Sequence, residues 1–338
     1  MTSQYCLGIE STAHTFGVGV VRVLADGTRE VVANTRSMYR TESGGLIPAK
    51  LSEHHVAAWQ EVVSAALQEA GISMQEVSLI SYSRAPGIGH ALRVGVGVAR
   101  SLAARYDKPL VGVNHCVAHL EVGRVLAGED DPLLLYASGA NTQVIALQGG
   151  AYRVFGETLD LGVGNFLDTV ARFMGLGFPG GPALERLAAG YADEAEDLVE
   201  LPYVVKGMDV SFSGLQTSIR TMLDQEKYSH AALAYSVQET AFSMLVEVSE
   251  RALAHTNKSC LVLGGGVACN ARLQEMCSFM CSDREANFFV PANEFLVDNG
   301  AMIALLGVSV FERVGSVAVA EADIDPYERV DDVPVSRQ

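Results

Sequence analysis

The alternation of hydrophobic and polar residues predicts that the chain contains the same short unit twice. Residues 5–23 and residues 133–147 each show the pattern of a strand, a small polar turn and a second strand, and residues 152–155 offer a further strand. The turns at 10–15 and 138–142 are rich in Ser, Thr, Gly and Asn, whose amides and hydroxyls can approach an anion closely. We therefore predict two similar lobes that face each other across a cleft, with a chance likeness of two hairpins as the alternative.

Helical periodicity follows each of these hairpins. The first helical pattern runs over residues 50–70 and stops at Gly71, a residue type that commonly ends helices. Strands are also predicted at 77–82 and 259–263, and further helices up to Tyr106, after the Gly/Pro-rich loop at 176–182, over 229–255, after Gly264–Gly266 and from Asp298. The acidic tail, residues 320–338, is predicted to be loosely ordered. This succession of strands and helices is typical of the α/β class.

Length and composition narrow the class of protein. A chain of 338 residues fits two lobes or one large α/β unit. The six cysteines contain no C-x-x-C pair, which is typical of reduced thiols in a cytosolic protein. The N-terminus has no leader pattern and no apolar run reaches ~18 residues, so we expect no membrane association. A net charge of −16 argues against nucleic-acid binding through the field of the whole chain, but it leaves a local basic groove or a basic partner open.

His115 and His119 are the first candidates for chemistry. They stand four residues apart after the strand-like run 109–113, and on a helix this spacing places two imidazoles on one face, where they can share a divalent metal. Zinc proteases have their water-activating Glu directly after the first such His, and here that position is Cys116, which argues against a metalloprotease. The alternative is a pair of structural helix histidines.

Two further residues can complete a metal site with these histidines. Asp298 would add a carboxylate oxygen to two nitrogens, a donor set that suits zinc or iron with positions left open for substrate. Tyr136, at the end of its strand, would add a phenolate. The alternatives are a helix N-cap for Asp298 and a half-buried strand residue for Tyr136.

Several loops offer groups for an anionic or nucleotide ligand. The triple glycine follows a buried strand and opens a helix, where amides and the helix dipole favour a phosphate, although a tight strand-to-helix turn explains it equally well. The candidates for a phosphate loop are Gly264, Gly265, Gly266, Ser11 and Thr12. Asn270, Asp168 and Glu185 can hydrogen-bond to a ribose or a base edge, and helix-surface positions are the alternative for all three.

Six segments share the motifs of one family. They are His115–His119, Tyr136–Ala146, Gly156–Asp168, Gly207–Gly214, Gly264–Glu275 and Asp298–Ala304. In these segments the chain closely resembles the TsaD family, in the archaeal and eukaryotic branch whose members are the catalytic subunits of KEOPS complexes. The likeness runs in order from Gly8 to about Phe311 and so covers nearly the whole chain.

The resemblance implies the duplicated two-lobe α/β fold of the ASKHA superfamily (actin, sugar kinases and chaperone ATPases), with a central nucleotide cleft. The expected N-terminal lobe spans residues 1–132 and the C-terminal lobe residues 133–300. The last helix, at about 300–318, is expected to pack back onto the N-terminal lobe. A location in the cytoplasm, and also in the nucleus of a eukaryote, is implied as well.

The resemblance further implies an acyltransferase that acts on tRNA. The family moves threonylcarbamoyl from threonylcarbamoyl-adenylate to the N6 amine of the adenosine 3′ of the anticodon in ANN-decoding tRNAs. The implied cofactors are one divalent metal, iron before zinc or magnesium, and an adenine nucleotide, either threonylcarbamoyl-AMP or an ATP or AMP analogue. The implied partners are tRNA and KEOPS-type subunits, including a small protein kinase and a dimerising small subunit.

The positions that match the family's motifs receive roles from the resemblance. Metal ligation is implied for His115, His119, Tyr136 and Asp298. Contacts with the adenylate are implied for Tyr136, Ala137, Ser138, Gly139, Ala140, Asp168, Gly181, Glu185 and Asn270. The donor is an activated anhydride, so no protein nucleophile is expected. Ala140 departs from the family, which has glycine there, and a positive φ at this residue would strain the loop by about 1 kcal/mol.

Two other functions stay open on the sequence. One is an ASKHA-fold ATPase or phosphotransferase, which would use a general-base Asp and Mg²⁺ alone, so the histidine pair argues against it. The other is a non-catalytic nucleotide-binding scaffold. Candidates for a local tRNA-contacting edge are Arg36, Arg40, Lys50, Arg84 and Arg93, with ordinary surface charges as the alternative.

Overall fold

The computed structural model describes residues 4–40, 47–177, 179–192 and 198–333. The strands are β1 (Gln4–Glu10), β2 (Thr15–Val23), β3 (Arg29–Met38), β4 (Val77–Ala85), β5 (Leu110–Asn114), β6 (Leu133–Ala137), β7 (Thr142–Gln148), β8 (Ala151–Glu157), β9 (Val205–Lys206), β10 (Asp209–Val210), β11 (Cys260–Gly264) and β12 (Asn287–Phe289). The helices are α1 (Pro48–Ala70), α2 (Gly89–Tyr106), α3 (His115–Ala127), α4 (Val163–Phe173), α5 (Gly180–Ala192), α6 (Ser213–Asp224), α7 (His230–Thr256), α8 (Ala271–Asp283), α9 (Asn293–Leu296) and α10 (Gly300–Val314).

The chain divides into two compact units. The first consists of Met1–Leu126, Gly149–Tyr152 and Val297–Gln338, and the second consists of Ala127–Gln148 and Arg153–Leu296. Each has a five-stranded sheet and a separate hydrophobic core.

The first sheet has the strand order β3-β2-β1-β4-β5. β1, β2 and β3 are antiparallel neighbours, whereas β1, β4 and β5 run parallel. The carboxyl ends of these parallel strands, at Glu10, Ala85 and Asn114, therefore meet at one edge of the sheet, where ligand sites of α/β proteins commonly lie.

Helix α10 packs directly on the backbone of this sheet because the strands beneath it carry glycines. A Cβ atom at Gly8 would lie 2.3 Å from the backbone nitrogen of Ala304, and one at Gly19 would lie 2.2 Å from that of Ala301. No side chain fits at either position, so the close approach of helix and sheet depends on glycine. The same packing holds Asp298, two residues before α10, near the end of β1.

The second sheet repeats the topology of the first. Its strand order is β8-β7-β6-β11-β12, with β6 antiparallel to β7 and parallel to β11, which in turn is parallel to β12. Each sheet thus contains a run of hairpin-connected strands followed by two parallel strands. The predicted duplication is confirmed, and chance likeness of the two hairpins is excluded.

The long helices were predicted well. The helical patterns over 50–70, up to Tyr106 and over 229–255 are confirmed as α1, α2 and α7. Gly71 ends α1 in the left-handed region, with φ of 66°. Phe178, within the predicted Gly/Pro loop, lies outside the described residues. No helix in the described part of the chain is long and apolar enough to cross a membrane.

The C-terminal segment contradicts the prediction of a loosely ordered tail over its described part. The side chains of Ala322 and Val330 are buried, with 2% and 3% exposure. The Tyr82 hydroxyl donates to the carbonyl oxygen of Asp323 at 3.0 Å. These contacts outweigh the acidic composition, which on its own indicated a solvated tail. Residues 334–338 lie outside the described residues.

Asp160 organises the loop that leads into α6. Its Oδ1 accepts the backbone N–H of Leu161 at 2.8 Å and of Phe212 at 2.9 Å, while its Oδ2 accepts the hydroxyl of Ser211 at 2.6 Å and the N–H of Ser213 at 3.0 Å. Burial acts in the opposite direction, but these hydrogen bonds hold the pKa of Asp160 well below its usual range.

Asp160 is therefore expected to make the fold sensitive to acid. Because its pKa is depressed in the folded chain, ionised Asp160 stabilises the fold above the unfolded pKa of about 4, and this stabilisation is lost as the pH falls further. We expect the urea midpoint of Asp160→Asn to fall less steeply below about pH 4 than that of the unmodified chain. Asp224→Asn, at an exposed carboxylate in α6, is the matched control, and parallel curves for all three proteins would contradict the prediction.

Candidate functional site

His115, His119 and Asp298 form a tight cluster in the first unit. Nε2 of His115 lies 3.3 Å and Nε2 of His119 lies 3.7 Å from Oδ1 of Asp298. The two imidazole rings meet edge to face, with their centroids 4.8 Å apart. Both histidines are buried, and Asp298 is half-buried. Among the described residues, this is the group of His, Cys, Asp and Glu side chains that lies close enough to hold one ion.

The junction between β5 and α3 positions the two histidines. β5 ends at Asn114 and α3 begins at the next residue, so His115 lies in the first turn and His119 lies one turn later on the same face. Oδ1 of Asn114 accepts the backbone N–H of Cys116 at 3.0 Å and of Val117 at 3.3 Å. Asn114 is thus the N-cap of the helix that carries both imidazoles.

Asp298 is not the cap of the next helix. Asn299 caps α10, since its Oδ1 accepts the backbone N–H of Met302 at 3.0 Å. The N-cap alternative for Asp298 is therefore wrong, and the carboxylate faces the histidines instead.

Glu10 places a second carboxylate behind His115. It ends β1, is fully buried, and its Oε2 lies 2.9 Å from Nδ1 of His115. Its Oε1 accepts both the backbone N–H of Thr12 at 2.6 Å and the Thr12 hydroxyl at 2.5 Å. Glu10 was not predictable as a site residue, because nothing in its spacing connects it with a histidine 105 residues away.

The charges in this cluster depend on one another. Burial alone would lower the pKa of His115, but the carboxylates of Glu10 and Asp298 raise this pKa to about 10. Burial lowers the pKa of His119. Burial also opposes the ionisation of Asp298, but His115 and the hydrogen bonds from both histidines hold the pKa of this carboxyl well below its usual range. The two carboxylates therefore favour a positive charge among the ring nitrogens.

The cluster fits a divalent metal. Since Nδ1 of His115 faces the Glu10 carboxylate, the opposite nitrogen, Nε2, is the one that faces Asp298. Nε2 of both histidines and Oδ1 of Asp298 thus point at each other, and once the two nitrogens give up their protons these atoms are electron-pair donors that a cation satisfies. A carboxylate on the far nitrogen of a metal-binding histidine is a common way to orient the ring. His115, His119 and Asp298 would hold the ion, and the comparison of donor types leaves iron, zinc and magnesium open.

Glu10 is accordingly expected to tune metal affinity. Replacement by Gln removes the charge that orients His115, and partners of this kind typically contribute about 10–100-fold to metal affinity. We expect Glu10→Gln to raise the dissociation constant for Co²⁺, measured by competition with a chelator, by a factor in this range. Glu121→Gln changes a buried carboxylate of α3 that lies outside the cluster, and is expected to leave the constant unchanged. Equal constants for Glu10→Gln and the unmodified chain would refute this role.

Three donors of the turn after β1 bind protein groups. The backbone N–H of Ser11 donates to the hydroxyl of Ser83 at 3.0 Å, and both donors of Thr12 bind Glu10. The Ser11 hydroxyl is packed against Gly95 of α2, where a Cβ atom would approach it to 2.0 Å. Thr12 thus holds the carboxylate of Glu10, and a phosphate-loop role for Ser11 and Thr12 stays a prediction.

Tyr136 lies in the second unit, near the end of β6. It is 1% exposed and is paired with Gly264 of β11 and Gln143 of β7. The half-buried alternative for this residue is therefore wrong, and its role as a metal ligand stays a prediction.

The turn after β6 is closed by its own hydrogen bonds. The N–H and the hydroxyl of Ser138 both donate to the carbonyl oxygen of Asn141, at 2.9 and 3.0 Å. The carbonyl oxygens of Ser138 and Gly139 accept the N–H groups of Gly164 and Asn165 at the start of α4. Ala137 is buried, and Gly139 and Ala140 are exposed.

Ala140 does not strain this turn. It is not among the described residues with positive φ, so its backbone conformation is open to any L-residue. The strain considered for an alanine in place of the family's glycine is therefore absent.

The triple glycine forms a tight turn and does not open a helix directly. Gly265 has φ of +89°, and a Cβ atom there would lie 2.4 Å from the carbonyl oxygen of Ala137. A 3₁₀ turn follows over Gly266–Cys269, and α8 begins only at Ala271. The glycines thus form the tight strand-to-helix turn that the sequence left open, with Gly265 as the N-cap of the 3₁₀ turn, and their role in phosphate binding stays a prediction.

Asn270 caps α8. Its Oδ1 accepts the backbone N–H of Arg272 at 2.9 Å and of Leu273 at 3.2 Å, and its Nδ2 donates to Oε1 of Gln238 at 2.9 Å. Asn270 is buried, at 8% exposure, so the alternative of an ordinary helix-surface residue is wrong.

The other predicted nucleotide residues lie on a connected path in the second unit. Oδ1 of Asp168, in α4, accepts the N–H of Gly180 at the start of α5 at 2.7 Å. Glu185, one turn into α5, accepts the N–H of Ala271 at 2.8 Å and thereby reaches the start of α8 beside Asn270. A Cβ atom at Gly181 would meet nothing within 4 Å, so the backbone there is open to a ligand.

The candidate tRNA residues divide into two groups. Arg36, Arg40, Lys50 and Arg93 are exposed, as a tRNA contact requires. Arg84 is half-buried, and its guanidinium is bound to Glu328 at 3.1 Å. The structure therefore supports the alternative of a structural charge for Arg84.

Two sheets of the same topology, each flanked by helices, define the chain as a protein of the ASKHA fold class. Solved structures of this class are similar to it. The alignment with HypF from T. kodakarensis covers 92% of this chain and 48% of the HypF chain, with a TM-score of 0.65 and 16% identity. The alignment with component A of the (R)-2-hydroxyglutaryl-CoA dehydratase of Acidaminococcus fermentans covers 90% of this chain and 98% of that protein. Its TM-score is 0.55 and the identity is 15%. At such identities the likeness concerns the fold alone.

Sequence comparison identifies the family within this class. The family model of TsaD, described as tRNA N6-adenosine threonylcarbamoyltransferase, matches residues 28–305. The protein of this name from Thermococcus kodakarensis is 49% identical over 329 residues, which cover 97% of this chain and 98% of the relative. A relative from Methanothermobacter thermautotrophicus, named "Probable bifunctional tRNA threonylcarbamoyladenosine biosynthesis protein", is 48% identical over 98% of this chain and 60% of its own length. The chain belongs to the TsaD family, and the predicted resemblance is confirmed.

Proposed function

We propose that this chain transfers threonylcarbamoyl from threonylcarbamoyl-adenylate to N6 of the adenosine 3′ of the anticodon in ANN-decoding tRNAs, as the catalytic subunit of a KEOPS-type complex. The observation that carries the proposal is the match to tRNA N6-adenosine threonylcarbamoyltransferases over 97% of the chain, together with the buried His115–His119–Asp298 cluster. A likeness of fold to other ASKHA proteins would not distinguish this transfer reaction from an ATPase or phosphotransferase activity.

The reaction needs no nucleophile from the protein. The N6 amine attacks the carbamoyl carbon, the bond from this carbon to the phosphate oxygen breaks, AMP leaves with the electron pair, and N6 loses a proton. Cys116, beside the first histidine, suits no nucleophilic role, because burial raises the pKa of its thiol. Catalysis then depends on positioning the activated donor and stabilising the charge that develops on it.

A divalent metal held by His115, His119 and Asp298 would supply Lewis-acid polarisation and a template for the phosphate and carbamoyl oxygens. Iron is our first candidate, with zinc or magnesium as alternatives, because two imidazoles and a carboxylate suit iron and zinc better than magnesium. Glu10 orients His115 through Nδ1, and Tyr136 is proposed as a further ligand. The low exposure of both histidines keeps bulk water from them.

The adenylate is proposed to contact the turn Tyr136–Ala140 and the path formed by Asp168, Gly181, Glu185 and Asn270. In support, hydrogen bonds connect Asp168 to Gly180 and Glu185 to Ala271, and the space beside the backbone of Gly181 is open. Carboxylates are acceptors that suit ribose hydroxyls. Asn270 is held in one orientation by its bonds to α8 and Gln238, which suits a fixed contact with a ligand.

Partner subunits are proposed to carry much of the tRNA. A net charge of −16 does not attract a polyanion, so basic partner subunits would supply cationic surface beyond the exposed arginines and lysine of this chain. The longer bifunctional relative supports an assembly with a second activity, since this chain matches only 60% of it. A small protein kinase and a dimerising small subunit are the proposed partners.

The proposal is tested by a transfer assay. The purified chain, with its cognate partners, is expected to move labelled threonine from threonylcarbamoyl-adenylate onto an ANN-decoding tRNA. A tRNA with guanosine in place of the target adenosine is expected to stay unlabelled. Absence of labelled tRNA with all partners present would refute the proposal, and transfer of the γ-phosphoryl group of ATP to the tRNA would favour the phosphotransferase instead.

A further inference from the structure

The described end of the chain reaches Asn114, the N-cap of the helix that carries both histidines, through the side chain of Glu328. Residues 322–333, which we call the C-terminal strap, lie against the edge where β4 and β5 end. The strap is anchored by backbone bonds, since the N–H of Asp325 donates to the carbonyl oxygen of Arg84 at 3.0 Å and the N–H of Gly87 donates to that of Pro326 at 3.3 Å. Within the strap, Glu328 is directed inward, with only 10% of its side chain exposed.

Glu328 contacts two groups of different kinds. Its Oε1 lies 3.1 Å from Nη2 of Arg84, and its Oε2 accepts Nδ2–H of Asn114 at 3.3 Å. Arg84 is thus held to the strap through both its carbonyl oxygen and its guanidinium. These bonds restrict the carboxylate of Glu328 to one position, with one oxygen directed at Asn114.

Asn114 can satisfy its neighbours in only one orientation of its amide. Oδ1 faces the backbone N–H groups of Cys116 and Val117, which can only donate, and Nδ2 faces the carboxylate of Glu328, which can only accept. A flipped amide would oppose donor to donor at the helix and acceptor to acceptor at the strap. Glu328 therefore selects the rotamer of Asn114 that caps α3.

We propose that Glu328 is a positioning residue for the metal cluster, and that it acts through Asn114 on the first turn of α3. His115 is the first residue of this helix, so any loosening of the cap displaces the imidazole nearest to both Glu10 and Asp298. The part of this inference that concerns the metal rests on the proposed function, whereas the part that concerns the cap does not.

The cap is tested first, on the full-length chain without added metal. Glu328→Ala is expected to speed hydrogen exchange at the amides of Cys116 and Val117 by about tenfold, since both lose a fixed acceptor, while amides in α7 exchange as before. Glu321→Ala, at an exposed carboxylate shortly before the strap, is the matched control and is expected to change neither. Unchanged exchange at Cys116 and Val117 in Glu328→Ala would overturn the proposal.

The metal is tested with Co²⁺ as a spectroscopic probe. Glu328→Ala is expected to weaken Co²⁺ binding by about tenfold, as loss of an outer partner of a metal ligand commonly does, and to alter the visible absorption of the bound ion. In an Asn114→Ala background the same substitution is expected to add no further loss, because the route to His115 is already broken. A full additional loss in the double variant would show that Glu328 acts by another route and would overturn the proposal.

Hydrogen exchange and Co²⁺ binding together distinguish a failure of this inference from a failure of the proposed function. If the unmodified chain bound no Co²⁺, the proposed metal site would fail, and the exchange arm alone would decide the role of Glu328. If Co²⁺ bound the unmodified chain and Glu328→Ala equally well, with the cap loosened as expected, the positioning of the metal cluster would be refuted.

Discussion

His119→Ala is expected to remove the bound metal and, with it, at least about 100-fold of the transfer activity. Nε2 of His119 lies 3.7 Å from Oδ1 of Asp298 and is one of the three donors of the cluster. The imidazole is 1% exposed, so water can replace it only by entering a buried site. The substitution leaves His115, Asp298 and the proposed ligand Tyr136, a donor set with one nitrogen in place of two that holds iron or zinc less tightly. The metal content per chain, measured by elemental analysis after dialysis against a chelator, is expected to fall from about one to below about 0.1.

His55 provides the control for this substitution. It is also fully buried, but its Nε2 lies 3.0 Å from the carbonyl oxygen of Ala13 and it stands outside the cluster. His55→Ala is expected to lower stability, as loss of a buried side chain does, while the metal content stays near one per chain. Equal metal content in His119→Ala and in the unmodified chain would show that the cluster is not the metal site. Purification without oxygen, followed by the same analysis, distinguishes iron from zinc.

The local part of the site was predictable from the sequence. Two histidines at a spacing of four share a helix face wherever a helix forms, and the strand before them made a helix at this place the natural expectation. The end of α1 was predictable for a similar reason, because Gly71 acts on its neighbours in the chain.

The groups that orient the histidines were not predictable in this way. Glu10 meets His115 because β1, β4 and β5 run parallel and end at one edge, which is a property of the sheet and leaves no periodic signal. Glu328 meets Asn114 across 214 residues, and its acidic surroundings indicated a solvated tail. Composition reports the average behaviour of a segment, whereas this contact depends on one carboxylate.

The loops show how one pattern can have two physical causes. Small polar turns and glycines were interpreted as room for a phosphate, yet Thr12 binds Glu10, and Gly265 allows close approach to Ala137. In both places the small residues make room for the protein's own atoms, and phosphate binding there stays a prediction. The family match, which depends on many positions at once, was the stronger guide to function.

Gly19→Ala is expected to destabilise the fold by about 3 kcal/mol, the upper end of the usual range for overpacking. The new Cβ would lie 2.2 Å from the nitrogen and 2.5 Å from Cα of Ala301, and both are backbone atoms that can yield only if α10 moves. Because Asp298 directly precedes this helix, the shift is also expected to weaken metal binding. Both effects are measured on one preparation, by urea unfolding and by Co²⁺ titration.

Gly97→Ala gives this prediction its control within the same unit. Gly97 lies inside α2, and a Cβ atom there would meet nothing within 4 Å. Alanine is the better helix former, so Gly97→Ala is expected to raise stability by about 0.5–1 kcal/mol and to leave Co²⁺ binding unchanged. The same chemical change thus has opposite effects at two glycines, because only Gly19 faces a helix backbone. If Gly19→Ala were as stable as the unmodified chain, the backbone of α10 at Ala301 would not pack closely against Gly19 of β2. The position of Asp298, which depends on this packing, would then be wrong as well.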